Sequence, residues 1–233
     1  MSNYAGFRAK GLRKRAEGWA AELSDARALG GPLAGASFVA GVAGALAHAD
    51  APYPRPGAEP AEVRRYFNGN PGAARLSAAG QLVSAASLAQ FTASVADLAS
   101  GSGLGARWLR VAAVVGGALA AASLATSALC AAALTGRPDE ENAGVASLHR
   151  LMFAAGGPVH SAGFGLLVGA LGLAGPRTGE RPVPLASAGL ASAAAGLLSP
   201  LYFVWKPAAW LVPVGRFPGL VVSAIAGARL CRR

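Results

Sequence analysis

Six long apolar stretches constrain this chain more than any other feature of its sequence. A helix needs about 20 residues to cross the roughly 30 Å hydrocarbon core of a bilayer. The stretches are continuous runs of Ala, Leu, Gly and Val, without the period-two alternation of outer-membrane strands. They cover residues 32–49, 76–98, 108–134, 145–174, 183–204 and 208–230. The sequence therefore predicts an all-α fold, a polytopic transmembrane helical bundle of six spans.

Composition excludes several function classes. Only 14% of the 233 residues are charged, against about 25% in soluble domains. The net charge of +10 comes from cations between apolar stretches rather than along a docking face, so no nucleic-acid partner is expected. The two cysteines, Cys130 and Cys231, form no CxxC pair. Without a zinc-type spacing or a phosphate-binding glycine motif, we expect no metal and no cofactor, and the balance is against an enzyme.

The positions of Lys and Arg predict the orientation. Thirteen of the 21 fall on the side of the N-terminus, six on the opposite side, and Arg150 and Arg216 within spans. Because cytoplasmic loops carry the excess of these residues, both termini are predicted to be cytoplasmic. We expect two regions, a basic segment over residues 1–31 and a six-span domain over residues 32–233. The basic segment predicts an amphipathic helix on the inner leaflet, or alternatively a basic tail that only enforces topology.

Polar side chains recur every three or four residues along the second span and predict one hydrophilic helix face. Such a face is costly against acyl chains, so we expect it to point into the bundle. It would either bond to hydroxyls of the third span, namely Ser123, Thr126 and Ser127, or line a polar cavity. The residues of this stripe are Ser77, Gln81, Ser84, Ser87, Gln90, Ser94 and Asp97.

Cationic side chains in and near the spans predict an anion-binding site in the outer half of the bundle. Buried cations need a compensating partner, and an anionic ligand would supply one. The alternative is snorkelling of Arg75 and Arg150 to the headgroups and hydrogen-bonded packing of His160. The candidate ligand-binding residues are Arg75, Gln81, Gln90, His149, Arg150, His160 and Arg216.

Asp97 is the only acid inside a predicted span, and Arg110 opens the next one. The pair predicts either a structural ion pair or, if Arg110 points elsewhere, a proton-relay carboxylate.

Small residues and prolines mark the remaining features of the spans. The pairs Gly31/Gly35 and Gly165/Gly169 predict close helix packing. Prolines interrupt the fourth span at Pro158 and the sixth at 213–218, which predicts kinks or unwound binding sites. The outer loop over residues 50–72 begins extended and continues as a short helix, which would act as a lid or rest on the headgroups.

The layout, with AEVRRYFNGNPGAARLSAAGQLVSAASLAQF leading into the second span, resembles the six-helix integral membrane proteins of unknown function found in high-GC actinobacteria. The resemblance implies a bacterial cytoplasmic membrane. It implies no activity, and it assigns no functional residue to this chain.

Three functions remain open. The favoured hypothesis is binding or transport of a small anionic or amphipathic molecule through a polar intramembrane cavity that reaches Gln81 or Gln90. A structural or accessory subunit, packed as a closed bundle, is the first alternative. An intramembrane enzyme acting on a lipid or isoprenoid is the second. The expected partners are membrane lipids, the small ligand, and a second copy or another membrane protein.

Overall fold

The computed structural model describes residues 25–135, 141–177 and 183–232. Within these ranges all regular secondary structure is helical, and six helices are long and apolar enough to cross a membrane. These candidate spans are Asp25–His48, Pro71–Ser100, Ala106–Thr135, Asn142–Pro176, Pro184–Phe203 and Lys206–Leu230. The prediction of a six-span helical bundle is confirmed, and the chain is an integral membrane protein. The amphipathic N-terminal helix was predicted mainly on residues 1–24, which lie outside the described ranges.

Eight α-helices build the described part of the chain. They are α1 Gly30–His48, α2 Pro60–Gly69, α3 Pro71–Ser100, α4 Ala106–Thr135, α5 Asn142–Ala154, α6 His160–Arg177, α7 Val183–Leu198 and α8 Leu211–Leu230. A single π turn, Ala155–Val159, joins α5 to α6, and two short 3-10 helices, Ser199–Phe203 and Lys206–Trp210, precede α8. The second span begins five residues earlier than predicted, because Pro71 occupies the first turn of α3, where its missing N–H costs nothing.

The spans are arranged as a closed ring. Each span packs on the next in the order α1, α3, α4, α6, α7 and α8, and α8 returns to α1. The two described ends meet, since the thiol of Cys231 donates to the carbonyl of Asp25 at 3.3 Å. We call the opposite end, which carries residues 49–70, the loop end of the bundle.

Glycines bring the helix backbones close together. A Cβ added to Gly80 of α3 would lie 2.7 Å from the Cα of Gly41 of α1. A Cβ added to Gly165 of α6 would lie 2.9 Å from the carbonyl oxygen of Ala193 of α7, and Gly169 contacts the same residue. The assignment of the Gly165/Gly169 pair to packing is therefore confirmed, as expected where small residues drive association.

The two predicted proline breaks have different outcomes. Pro158 lies inside the π turn, because a proline cannot donate the hydrogen bond that a regular α-helix needs there. The sixth span is not unwound at its prolines, since α8 is continuous from Leu211 through Pro218. Pro213 falls in the first turn of α8, where amides have no partner within the helix.

The polar stripe of the second span does not stay on one face, and this prediction is wrong for its second half. Ser84 and Ser87 are buried, but Gln90 and Asp97 are exposed. The stripe advances about 3.3 residues per step, less than the 3.6 residues of a helical turn, so it winds around α3. Its buried part bonds to α1, where the Ser84 hydroxyl donates to the Ala34 carbonyl at 2.9 Å, and not to the hydroxyls of the third span.

Candidate functional site

A cavity of about 300 Å³ lies at the loop end of the bundle. Its walls come from α1, α3, α4, α5, the π turn and α8, and Tyr53 and Tyr66 of residues 49–70 also line it. Most of its walls are apolar, and its polar groups come from a few side chains. The lining residues are Phe38, Val42, Ala45, Leu46, Tyr53, Tyr66, Ser77, Gln81, Ser127, Met152, Phe153, Gly156, Gly157, Val212 and Arg216.

Arg216 is the cation of this cavity. It is 9% exposed, and its terminal amino group donates to the carbonyl of Gly156 in the π turn. Its Cζ lies 4.9 Å from the centroid of the Phe38 ring. Its Nε has no hydrogen-bond partner among the described residues, and no carboxylate of the described ranges pairs with it. Arg216 is therefore a buried guanidinium whose contacts with the described residues are a neutral carbonyl and an aromatic face.

Gln81 brings a second unsatisfied group to the cavity. Its amide nitrogen donates to the Ser77 hydroxyl at a long 3.4 Å. Its Oε1 is buried and has no partner within the described part of the chain. A Cβ added to Gly156 would lie 3.9 Å from this oxygen. Arg216 and Gln81 therefore converge on Gly156, one with a donor and the other with an acceptor.

The π turn positions this convergence. Pro158 removes one amide donor from the helix, and the wider turn accommodates the loss. A side chain on Gly156 would collide with the hydroxyl of Ser127 on α4. The glycine at position 156 thus allows the fourth span to approach α4, and its carbonyl accepts a hydrogen bond from Arg216.

The loop over residues 49–70 covers the cavity with two tyrosines. The Tyr53 hydroxyl donates to the sulfur of Met152 at 3.3 Å, and the Tyr53 and Tyr66 rings pack edge to face with centroids 5.1 Å apart. Burial raises the pKa of Tyr66 and of Tyr53, and for Tyr53 the neighbouring Tyr66 adds to the increase. Both phenols are therefore neutral at physiological pH and do not repel an anion.

The other predicted cations lie outside the cavity. Arg75 and Arg150 are exposed, and the Nε of Arg150 donates to the Ala146 carbonyl of its own helix at 3.3 Å. Neighbouring helical residues point about 100° apart, so the burial of His149 turns Arg150 outward. The predicted convergence of cations is wrong, and of the candidate residues only Arg216 and Gln81 line the cavity; Gln90 does not reach it.

Both predicted histidines are buried but serve packing. The ring of His149 is 2% exposed and lies near the Pro54 backbone and Glu62 of the covering loop. His160 is 3% exposed, and its Nδ1 lies 2.9 Å from the Ala120 carbonyl of α4. These contacts match the interpretation of His160 as a hydrogen-bonded packing residue.

Asp97 and Arg110 do not form the predicted ion pair. Both side chains are exposed near the turn between α3 and α4, and no salt bridge joins these two described residues. An exposed carboxylate at the end of a span has no access to the cavity. This position therefore supports neither the structural pair nor a proton relay.

Sequence reasoning missed two residues of the site. Phe38 lies under the Arg216 guanidinium and is the only aromatic residue of the first span, which is the signal that would have identified it. Tyr53 lies in the proline-rich start of the loop, where no sequence pattern identified it as a site residue. Its contact with Met152 spans 99 residues of sequence, and no local pattern encodes that pairing.

The cavity combines apolar walls with one uncompensated cation and one unsatisfied acceptor. Small-molecule sites have this composition, in which a few polar groups orient a ligand held mostly by apolar contacts. No protein-family model, curated protein or solved structure matches this chain. The chemistry of the cavity is therefore the ground on which a function can be argued.

Proposed function

We propose that this integral membrane protein binds a small amphipathic anion in the loop-end cavity. The anionic head group would bind the Arg216 guanidinium, and the apolar part would contact Phe38, Val42 and Val212. One observation carries the proposal: Arg216 is 9% exposed and, within the described ranges, pairs with no carboxylate. The proposal concerns binding, which is also the first step that transport would require.

The energetics of burial support an anionic ligand. Removing a charge from water costs several kcal/mol even after the protein relaxes, unless a partner compensates. The Gly156 carbonyl and the Phe38 ring supply only a dipole and a quadrupole. An anion bound to the Arg216 guanidinium would add a charge-assisted hydrogen bond, which is about twice as strong as a neutral one.

The shape of the cavity supports entry from the lipid. Helices α1 and α8 are in close contact at Gly31, where an added Cβ would lie 2.5 Å from the Ser223 carbonyl oxygen. Towards the loop end, half-buried Val42 and Val212 and exposed Leu46 form the cavity wall. A volume of about 300 Å³ is at the small end of ligand sites. A single acyl chain with its head group inside could therefore leave its tail in the bilayer.

The distribution of Lys and Arg also supports a proposal for the orientation of the chain in the membrane. With thirteen Lys and Arg on the N-terminal side and six on the other, we place both termini in the cytoplasm of a bacterial cell. The loop end and its cavity then lie in the outer half of the cytoplasmic membrane. The ligand would be drawn from the outer leaflet or the extracytoplasmic solution.

The proposal is tested by titrating the detergent-purified protein with myristate and counting bound molecules by native mass spectrometry. Arg216→Met removes the charge at similar length, and the exposed Arg150→Met is the matched control. A charge-assisted hydrogen bond is worth about 1.5–3 kcal/mol, so we expect Arg216→Met to weaken binding by about 10- to 100-fold. Equal affinities of the two variants would contradict the proposal.

A purely structural role for Arg216 predicts a different outcome. If the guanidinium only holds the π turn against α8, as in an accessory subunit, Arg216→Met should lower the melting temperature in detergent. Under our proposal the variant loses ligand but keeps its fold, because replacing an uncompensated buried charge by an apolar group is often neutral or stabilising. Thermal unfolding without added myristate separates the two.

A further inference from the structure

We propose that the head group of the ligand carries a hydroxyl next to its anionic oxygen. This inference rests on the proposed function and specifies the class of ligand that the same cavity takes. The class is a single-chain amphiphile with an acid group and a hydroxyl within a few bonds of each other. The observation behind it is that two side chains lining the cavity beside Gly156, Arg216 and Gln81, each carry a polar atom without a partner among the described residues.

The two atoms have opposite hydrogen-bonding needs. The Arg216 Nε–H is a donor and the Gln81 Oε1 is an acceptor, and neither has a partner among the residues that the structure describes. Arg216 bonds to the carbonyl of Gly156, and Gln81 Oε1 lies 3.9 Å from the Cβ position of the same residue. Both side chains line the cavity beside Gly156, so we infer that a ligand head group bound there satisfies both the donor and the acceptor.

A carboxylate or a fully ionised phosphate satisfies only one of them. Ionised acid oxygens accept hydrogen bonds but cannot donate, so they would bind Arg216 and leave Gln81 Oε1 unpaired. Leaving a buried acceptor unpaired costs free energy, whereas a hydroxyl supplies the missing donor. The site should therefore discriminate between amphiphiles that differ only in this hydroxyl.

Two natural sources offer this chemistry, a 3-hydroxy fatty acid and a lysophosphatidate. Each has a matched partner that lacks only the hydroxyl, namely myristate for 3-hydroxymyristate and 3-myristoyloxypropyl phosphate for 1-myristoyl lysophosphatidate. Affinities for all four probes are measured by native mass spectrometry on the full chain in detergent. We expect the hydroxylated member of at least one pair to bind about fivefold more tightly, the effect of one net hydrogen bond.

Gln81→Leu tests whether Gln81 causes the preference, since it removes the acceptor at similar volume. In this variant the two members of each pair should bind with about equal affinity. An equal affinity within both pairs for the unmodified protein, or a preference that persists in Gln81→Leu, would overturn the inference while leaving the proposed function intact. If Arg216→Met binds every probe as well as the unmodified protein does, the proposed function itself fails. The pair that shows the preference identifies the source.

Gln81→Glu is a second variant that does not depend on the apolar substitution being tolerated. It places a carboxylate near Arg216, which would then pair within the protein and exclude an external anion. We expect the carboxylate and the phosphate probes alike to bind at least tenfold more weakly at neutral pH. Unchanged binding would show that Gln81 and Arg216 do not share one head-group site, and would overturn the inference.

Discussion

At the scale of single residues, the environment of a side chain decides its role more than its type does. Arg150 and Arg216 both fall within predicted spans, yet Arg150 is exposed and bonds to its own helix, while Arg216 lines the cavity. The sequence predicted Arg216 and Gln81 as site residues because polar groups are rare in a span. It could not distinguish them from Arg75, Arg150 and Gln90, since facing inward depends on helix rotation.

His160→Ala should destabilise the bundle without affecting the cavity. The substitution removes the bond to the Ala120 carbonyl between α6 and α4 and leaves a void. We expect a loss on the order of 1 kcal/mol from the interhelical hydrogen bond, with a further loss from the void, measured as a lower melting temperature in detergent. His48→Ala is the control, because His48 is exposed and bonds only to Gly44 of its own helix. Lower myristate affinity at unchanged stability would mean that His160 belongs to the site.

At the scale of helices, the sequence predicted how many spans exist better than how they face each other. Length and apolarity place a helix in the bilayer, and all six spans were found on that basis. The rotation of each helix about its own axis was harder to predict. The spacing of the polar stripe on α3 differs slightly from the helical repeat, so the error in the direction of its side chains accumulates from Ser77 to Asp97. The sequence predicted that glycines allow the helices to pack closely. It did not indicate which residues of the other spans these glycines contact.

Gly80→Ala should lower stability whereas Gly72→Ala should not, although both lie in α3. In an isolated helix Ala is more favourable than Gly by about 1 kcal/mol. The new Cβ at position 80 would lie 2.7 Å from the Gly41 backbone, whereas nothing lies within 4 Å at position 72. We expect a lower melting temperature for Gly80→Ala and an equal or higher one for Gly72→Ala. Two variants with the same melting temperature would contradict the close α1–α3 contact.

At the scale of the whole molecule, an even number of crossings and a closed ring bring the described ends together and leave the cavity at the other end. The ring of spans does not by itself distinguish a binding protein from an accessory subunit; the two hypotheses differ in whether a cavity reaches Gln81 or Gln90, and the cavity reaches Gln81. The cavity was not predictable in shape, because its walls come from segments between Phe38 and Arg216 that only the tertiary fold assembles. The charge asymmetry of the loops supplies the orientation that we propose.

The two native cysteines provide a test of this orientation. Cys130 is buried, while Cys231 is partly exposed beyond the last span. We expect a membrane-impermeant maleimide to label inverted vesicles and not intact cells. Burial and the nearby Asp25 raise the pKa of the Cys231 thiol, so labelling should accelerate as pH rises and the reactive thiolate forms. Cys231→Ser should abolish the labelling. Labelling of Cys231 in intact cells would contradict the proposed orientation.

Photo-crosslinking with a diazirine-bearing myristate analogue tests the central claim, a cavity that binds an amphipathic anion, most directly. Peptide mapping of the adducts shows where the probe is bound. We predict adducts on the cavity segments 38–46 and 152–157, which excess myristate removes and Arg216→Met abolishes, while Arg150→Met keeps them. Adducts spread over lipid-facing positions such as Val115 and Leu129, unaffected by competition or by Arg216→Met, would contradict the account.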